Sequence, residues 1–129
     1  MRPLLIALAL VAASPAIAEP LTVQPGETWL FTVDQGEPAH ARKVDPTVKP
    51  ARGEVEVSVR SLFGTMMTIS NNSPQGYTFQ AQLLGANGAA MNVRACGLPP
   101  NNQPALESWP QKAAAVRIFD FKPAKGGRC

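Results

Sequence analysis

The chain is poor in the residues that most enzymes use for catalysis. It has one histidine, His40, and two cysteines among 129 residues. A hydrolytic triad would have to combine His40 with a serine, and no serine lies in a Gly-x-Ser-x-Gly context. There is no Cys-x-x-Cys pair, and no cofactor motif. We therefore predict a protein that is not an enzyme and that carries no cofactor.

The sequence is also poor in charge. Charged residues make up 16% of the chain, with 12 basic and 9 acidic side chains. This small excess of positive charge gives little reason to expect a nucleic-acid partner. The excess is concentrated in the C-terminal third, from Arg94 onward. An ordinary solvated surface is the simplest interpretation of these residues, and an anionic partner or an envelope surface is the alternative.

The only long apolar run lies at the N-terminus. Arg2 precedes the run LLIALALV at 4–11, and Ala16-Ile17-Ala18 forms a small-x-small cleavage site. The run is too short to span a bilayer, and Pro15 interrupts the segment that follows it. These features predict a signal peptide over 1–18 and a single domain over 19–129 that is periplasmic or secreted. No later run is long enough to span a membrane.

Export would place the two cysteine thiols in an oxidising compartment, where thiols can form disulfides. Cys96 and Cys129 are an even pair in an exported chain, which predicts one disulfide between them. The bridge would hold the Gly-rich C-terminus against the domain. A catalytic thiol is the rival interpretation, but a terminal Cys129 far from His40 does not favour it.

Alternation of apolar and polar residues predicts a protein made of strands. In EVEVSVR at 54–60 the three valines face one way, while Glu54 and Glu56 face solvent. The same period places Met67 and Ile69 on one face of 65–70. The predicted strands are 28–33, 54–60, 65–70, 77–84, 89–95 and 116–121, with 105–109 as either a short strand or one turn of helix.

Turn residues suggest how these strands are connected. The run NNSPQG at 71–76 predicts a hairpin between 65–70 and 77–84. Asn87-Gly88 predicts a second hairpin, with Met91 and Val93 buried on its returning strand. Residues 34–53, which contain three prolines, are predicted to be a long surface loop with room for one short edge strand. The facing of 116–121 is ambiguous, because Val116 and Ile118 lie on one face and Phe119 and Phe121 on the other.

Six or seven short strands without a long helix predict an all-β fold, an antiparallel two-sheet sandwich, with a small β-barrel as the alternative. The stretch from 54 to 121 resembles small exported immunoglobulin-like β-sandwich proteins of bacteria that lack an assigned activity. The resemblance is carried by TMMTISNNSPQGYTFQAQLL, the Asn-Gly turn, Arg94-Ala95-Cys96 and ESWP before VRIFDF. It implies a fold and a compartment, and no catalytic residues.

The function expected is therefore that of a binding or accessory module whose partner is a protein or an envelope component. A copper-handling protein is one alternative, with His40 and Met66 as candidate soft ligands, since Met67 and Met91 are explained as core. An envelope-associated or inhibitor-like protein that uses its basic C-terminal third is another. Trp109 would be either an exposed anchor or a plug at the end of the sandwich. The candidate partner surface comprises Trp109, Lys122, Lys125 and Arg128.

Overall fold

A computed structural model describes residues 17–125. Within this range the chain forms nine β-strands and no helix. The strands are β1 (Leu21–Val23), β2 (Thr28–Asp34), β3 (Glu37–Val44), β4 (Val55–Arg60), β5 (Thr65–Asn71), β6 (Tyr77–Leu84), β7 (Ala90–Val93), β8 (Ala105–Trp109) and β9 (Ala115–Pro123).

The strands form two antiparallel sheets. One has four strands in the order β1-β9-β6-β7, and the other has five in the order β3-β2-β4-β5-β8. The sheets are not closed into a barrel, so the predicted sandwich is confirmed and the barrel alternative is wrong. The signal peptide and Cys129 lie outside the described residues, apart from Ile17 and Ala18.

The core lies between the two sheets and follows the predicted alternation. Val55, Val57 and Val59 are buried, as are Met67 and Ile69 on the next strand. Phe121 lies at the centre, with its ring centroid 5.6 Å from that of Phe31 and 5.2 Å from that of Phe79. Burying each such side chain stabilises the fold by roughly 1.5–3 kcal/mol, so this inner face supplies most of the driving force.

A β-bulge decides the facing of β9 that the sequence left ambiguous. Val116 and Ile118 point inward, and strict alternation would put Asp120 inward next. Instead Asp120 has φ 56°, and the pairing of β9 with β6 shifts register at this point. The extra residue reverses the alternation, as bulges do, and turns Phe121 into the core.

The predicted hairpin between β5 and β6 is wrong. β5 pairs with β4 and β8, whereas β6 pairs with β7 and β9 in the other sheet. Residues 72–76 therefore carry the chain from one sheet to the other. Turn residues show where the chain reverses, but they do not specify which strand each side of the turn will pair with.

The segment 34–53 contains more regular structure than predicted. β3 is an eight-residue edge strand, and the chain reaches it through a two-residue turn at Gln35 and Gly36, both with positive φ. Pro38 is tolerated because β3 pairs with β2 on one side only. The loop is confined to 45–54. β1 was not predicted at all, because three residues are too few to display a period.

The Asn-Gly hairpin between β6 and β7 is confirmed by its antiparallel pairing. Val93, which was predicted to be buried, is half-buried and packs against the core. Met91 is 40% exposed, so the prediction that it is buried is wrong. Met91 is exposed because β7 is a four-residue edge strand, and only its last residue, Val93, reaches the core.

The bulge at Asp120 makes a testable distinction between two nearby phenylalanines. Phe121→Ala should destabilise the protein by about 3–5 kcal/mol, because it empties the centre of the core. Phe119→Ala should cost much less, since Phe119 is on the outer face and only half-buried. Urea denaturation of both variants measures the difference. Equal losses would mean that the assigned facing of β9 is incorrect.

Candidate functional site

The most unusual surface feature is the hairpin tip, residues 61–64, which joins β4 to β5. Leu62 is 45% exposed and Phe63 is 92% exposed. Phe63 also has φ 50°. Five other non-glycine residues in the described range have positive φ, and all five are Gln, His, Asn or Asp. Phe63 is the only apolar one among them, and a bulky residue in this region is strained.

The hairpin tip is held firmly by the connection between β8 and β9, residues 110–114. The hydroxyl of Thr65 donates to the carbonyl oxygen of Gln111 at 2.7 Å and accepts from the N–H of Ala113 at 2.9 Å. Gly64, with φ 108°, lies directly against the carbonyl groups of Trp109 and Pro110. The tip therefore projects from a fixed base.

Trp109 fills the end of the core beneath this base. Its side chain is buried, and Nε1 donates to the carbonyl oxygen of Arg94 at 2.9 Å. The plug interpretation is therefore correct, and the indole is not available as an exposed anchor. Phe63 was not predicted from the sequence as a surface feature. The available signal was an aromatic residue in a turn between two well-marked strands.

The copper candidates do not come together. His40 lies on β3 and Met66 on β5, and β2 and β4 separate these strands in the sheet. His40 is exposed on the edge strand, and Met66 is half-buried. Among residues 17–125 no cluster of three or more His, Cys, Asp or Glu side chains could hold a metal ion.

The cationic candidates of the C-terminal third lie elsewhere. Lys122 is exposed near the end of β9, with its Nζ 3.8 Å from a carboxylate oxygen of Asp120. Lys125 is also exposed, and Arg128 lies outside the described residues. Because β9 begins beside the hairpin tip and runs away from it, Lys122 and Lys125 are at the opposite end of the sandwich from Phe63.

Cys96 lies in the segment that passes from β7 to β8. Its N–H donates to Oε1 of Glu107 at 2.7 Å. Burial raises the pKa of Glu107, and this hydrogen bond partly offsets the effect. The predicted partner, Cys129, lies outside the described residues, so the disulfide stays a prediction.

Glu54 and Glu56 differ from the exposed pair that was predicted. Glu54 is buried, accepts hydrogen bonds from both terminal nitrogens of Arg42, and accepts one from the N–H of Ala51 at 2.8 Å. The Arg42 guanidinium lowers the pKa of Glu54 against the opposing effect of burial. Burial raises the pKa of Glu56, which lines a cavity of about 410 Å³ with Lys49. Because Glu54 is already fully engaged, the two carboxylates do not form an acid–base pair.

No helix in residues 17–125 is long and apolar enough to cross a membrane. No family model matches the sequence, and neither the curated proteins nor the solved structures contain a match.

Gly64 provides a test of how rigidly the hairpin tip is held. Gly64→Ala should destabilise the protein by about 2–4 kcal/mol, because a Cβ at this φ is strained and would also overlap the Trp109 carbonyl. Gly88→Ala is the matched control, with φ 83° and open space around its Cβ, and should cost about 1 kcal/mol. Chemical denaturation measures both. A similar cost for the two variants would contradict the close approach at Gly64.

The pair formed by Arg42 and Glu54 predicts a pH dependence. Because the folded-state pKa of Glu54 is lowered, its stabilising contribution is present above the unfolded value of about 4.3 and is lost as the pH falls through the folded value. Arg42→Gln should therefore destabilise the protein at pH 7 and do so progressively less below pH 4. Urea denaturation at pH 7, 5 and 3 measures this.

Lys43→Gln is the control. Lys43 lies on the same strand as Arg42, and its Nζ is 3.6 Å from a carboxylate oxygen of Glu27, which is farther than Arg42 lies from Glu54. It should have a smaller effect at pH 7. An equal loss of stability for Arg42→Gln at pH 7 and pH 3 would show that the ion pair is not its cause.

Proposed function

We propose that this chain is an exported, non-enzymatic binding module that docks on its partner through the hairpin tip. The observation that carries the proposal is the combination, at Phe63, of 92% exposure and a strained backbone. A side chain so exposed contributes little packing, and an αL conformation costs a non-glycine residue about 1–3 kcal/mol. Folding alone gives no reason to keep a phenylalanine there, whereas docking does.

Export is supported by the signal-peptide pattern and by the place where the fold begins. The N–H of Glu19, the first residue of the predicted mature chain, donates to the carbonyl oxygen of Pro38 at 3.0 Å. β1 begins two residues later, at Leu21. Removal of 1–18 would therefore leave these contacts in place. The proposed disulfide between Cys96 and Cys129 fits an oxidising compartment and would hold the C-terminus.

The alternatives receive less support. A copper-handling function would need His40 and Met66 to share an ion, yet they lie on strands that are not neighbours. A partner surface built on Lys122 and Lys125 would be polar, with one lysine already close to Asp120. The residues with positive φ on these two surfaces, His40 and Asp120, are of types that tolerate this conformation better than phenylalanine does.

The first test is a stability measurement. Phe63→Asn should stabilise the protein by about 0.5–1 kcal/mol, because asparagine tolerates positive φ better and little packing is lost. Leu106→Asn is the matched control, since Leu106 is an exposed apolar residue in an ordinary strand conformation on β8. Denaturation curves measure both variants. A loss of more than about 1 kcal/mol for Phe63→Asn would show that Phe63 supports the fold, and the proposal would fail.

The second test detects docking itself. A photo-crosslinking phenylalanine analogue, p-benzoylphenylalanine, is placed at position 63 or at position 106, and intact producing cells are irradiated. We expect mass-shifted adducts, with protein or lipid, from position 63 and few from position 106. Equal yields at the two positions, or none at 63, would contradict docking through the tip.

A further inference from the structure

We infer that the partner of the hairpin tip is the surface of an anionic phospholipid bilayer, an inference that rests on the proposed function. Three connections form one end of the sandwich: the hairpin tip 61–64, the loop 85–89 between β6 and β7, and the connection 110–114. Gly64 contacts the carbonyl groups of Trp109 and Pro110, and the N–H of Ala114 donates to the carbonyl oxygen of Leu84 at 2.8 Å. The three connections therefore belong to one continuous surface, which we call the loop end.

The loop end exposes three large apolar side chains. Phe63 and Leu62 project from it, and Met91, which is 40% exposed, lies beside the loop 85–89. Leu62 and Phe63 lie on the turn between β4 and β5, whereas Met91 lies on β7. A projecting phenylalanine on a firm base is suited to enter the boundary between headgroups and acyl chains.

The charges at the loop end have one sign. Arg60 immediately precedes the hairpin tip, and Lys112 lies between Gln111 and Ala113, both of which bond to Thr65. Both cations are exposed, and neither forms an ion pair within residues 17–125. The sequence has no Asp or Glu from residue 57 to 106, and none in 110–114. The loop end therefore combines an apolar tip with nearby cations and has no acidic residue in its three connections, which complements the phosphates of anionic lipids.

Two acidic residues lie farther along the same end and do not cancel this charge. Glu27 is beside the end of β4, where the N–H of Val59 donates to its carbonyl oxygen. The carboxylate of Glu27 accepts from Trp29 and lies near Lys43, so its charge is balanced locally. Asp45 follows β3, at the far edge of the sheet from β5, and accepts from Thr47.

The test measures binding of the folded, signal-free protein to vesicles of phosphatidylcholine alone or mixed with phosphatidylglycerol. Phe63→Trp provides the fluorescence signal, which should shift to the blue on binding, and co-sedimentation measures the affinity of the unlabelled protein. We expect binding to anionic vesicles at least 10-fold tighter than to zwitterionic ones, and weaker in high salt. Phe63→Asn should weaken it by about 10-fold or more, and Leu106→Asn should not.

A pair of double variants with the same net charge tests whether the site is local. Arg60→Gln with Lys112→Gln should weaken binding by about 25-fold, since each cation near an anionic surface contributes about 5-fold. Lys122→Gln with Lys125→Gln removes two cations from the opposite end and should leave binding nearly unchanged. Equal losses for the two double variants would show that attraction is governed by net charge, and the inference would fail.

Two further outcomes would overturn the inference without removing the proposed function. One is the absence of binding to anionic vesicles at millimolar lipid while position 63 still crosslinks to a protein in cells, which would identify a protein partner. The other is a dimer in solution that Phe63→Asn dissociates, which would identify a second copy of the chain as the occupant. If position 63 gives no adduct at all, the proposed function itself fails.

Discussion

The structure depends on the way β9 joins the two sheets. β9 pairs with β1 on one side and β6 on the other, so it is one of the two inner strands of the four-stranded sheet. At the bulge, the N–H of Phe121 donates to the carbonyl oxygen of Gly36, in the turn between β2 and β3, and the N–H of Asp120 donates to the carboxylate of Glu37 on β3. The same bulge turns Phe121 among Phe31, Tyr77 and Phe79. The bulge at Asp120 and Phe121 thus places the central ring of the core and also supplies two hydrogen bonds that link β9 to the β2–β3 hairpin of the other sheet.

This arrangement makes the two ends of the sandwich different. At the end near the bulge, the turn at Gln35 and Gly36 packs against β9, and a backbone hydrogen bond from the N–H of Phe121 to the carbonyl oxygen of Gly36 holds the two together. At the loop end, Trp109 closes the core and three connections lie over it. Because the core is already sealed by Trp109, the hairpin tip is not needed to cover apolar surface. Phe63 can therefore face outward, and this freedom is the structural basis of the proposed docking function.

Whether a strand or a contact could be predicted depends on how far apart in the sequence the residues that define it lie. The valines of β4 and the inward residues of β5 and β6 were predictable, because a period of two is visible within six to eight residues. The pairing of β5 with β8 was not predictable, since it joins residues about forty positions apart in the sequence as neighbours in the five-stranded sheet. The burial of Glu54 was not predictable either, because its partner Arg42 lies on β3, in a segment that was predicted to be a long loop with room for one short edge strand.

The sequence by itself determined that the chain would form short strands, which side of most strands would be apolar, and that two sheets would bury those sides, because alternation is a local property of the backbone. The tertiary structure alone decided which strands are neighbours, where β9 reverses its facing, and that Trp109 is enclosed while Phe63 is exposed. Both aromatic residues lie beside turns in the sequence. Only the packing of one connection against another distinguishes a ring that fills the core from a ring that meets the outside.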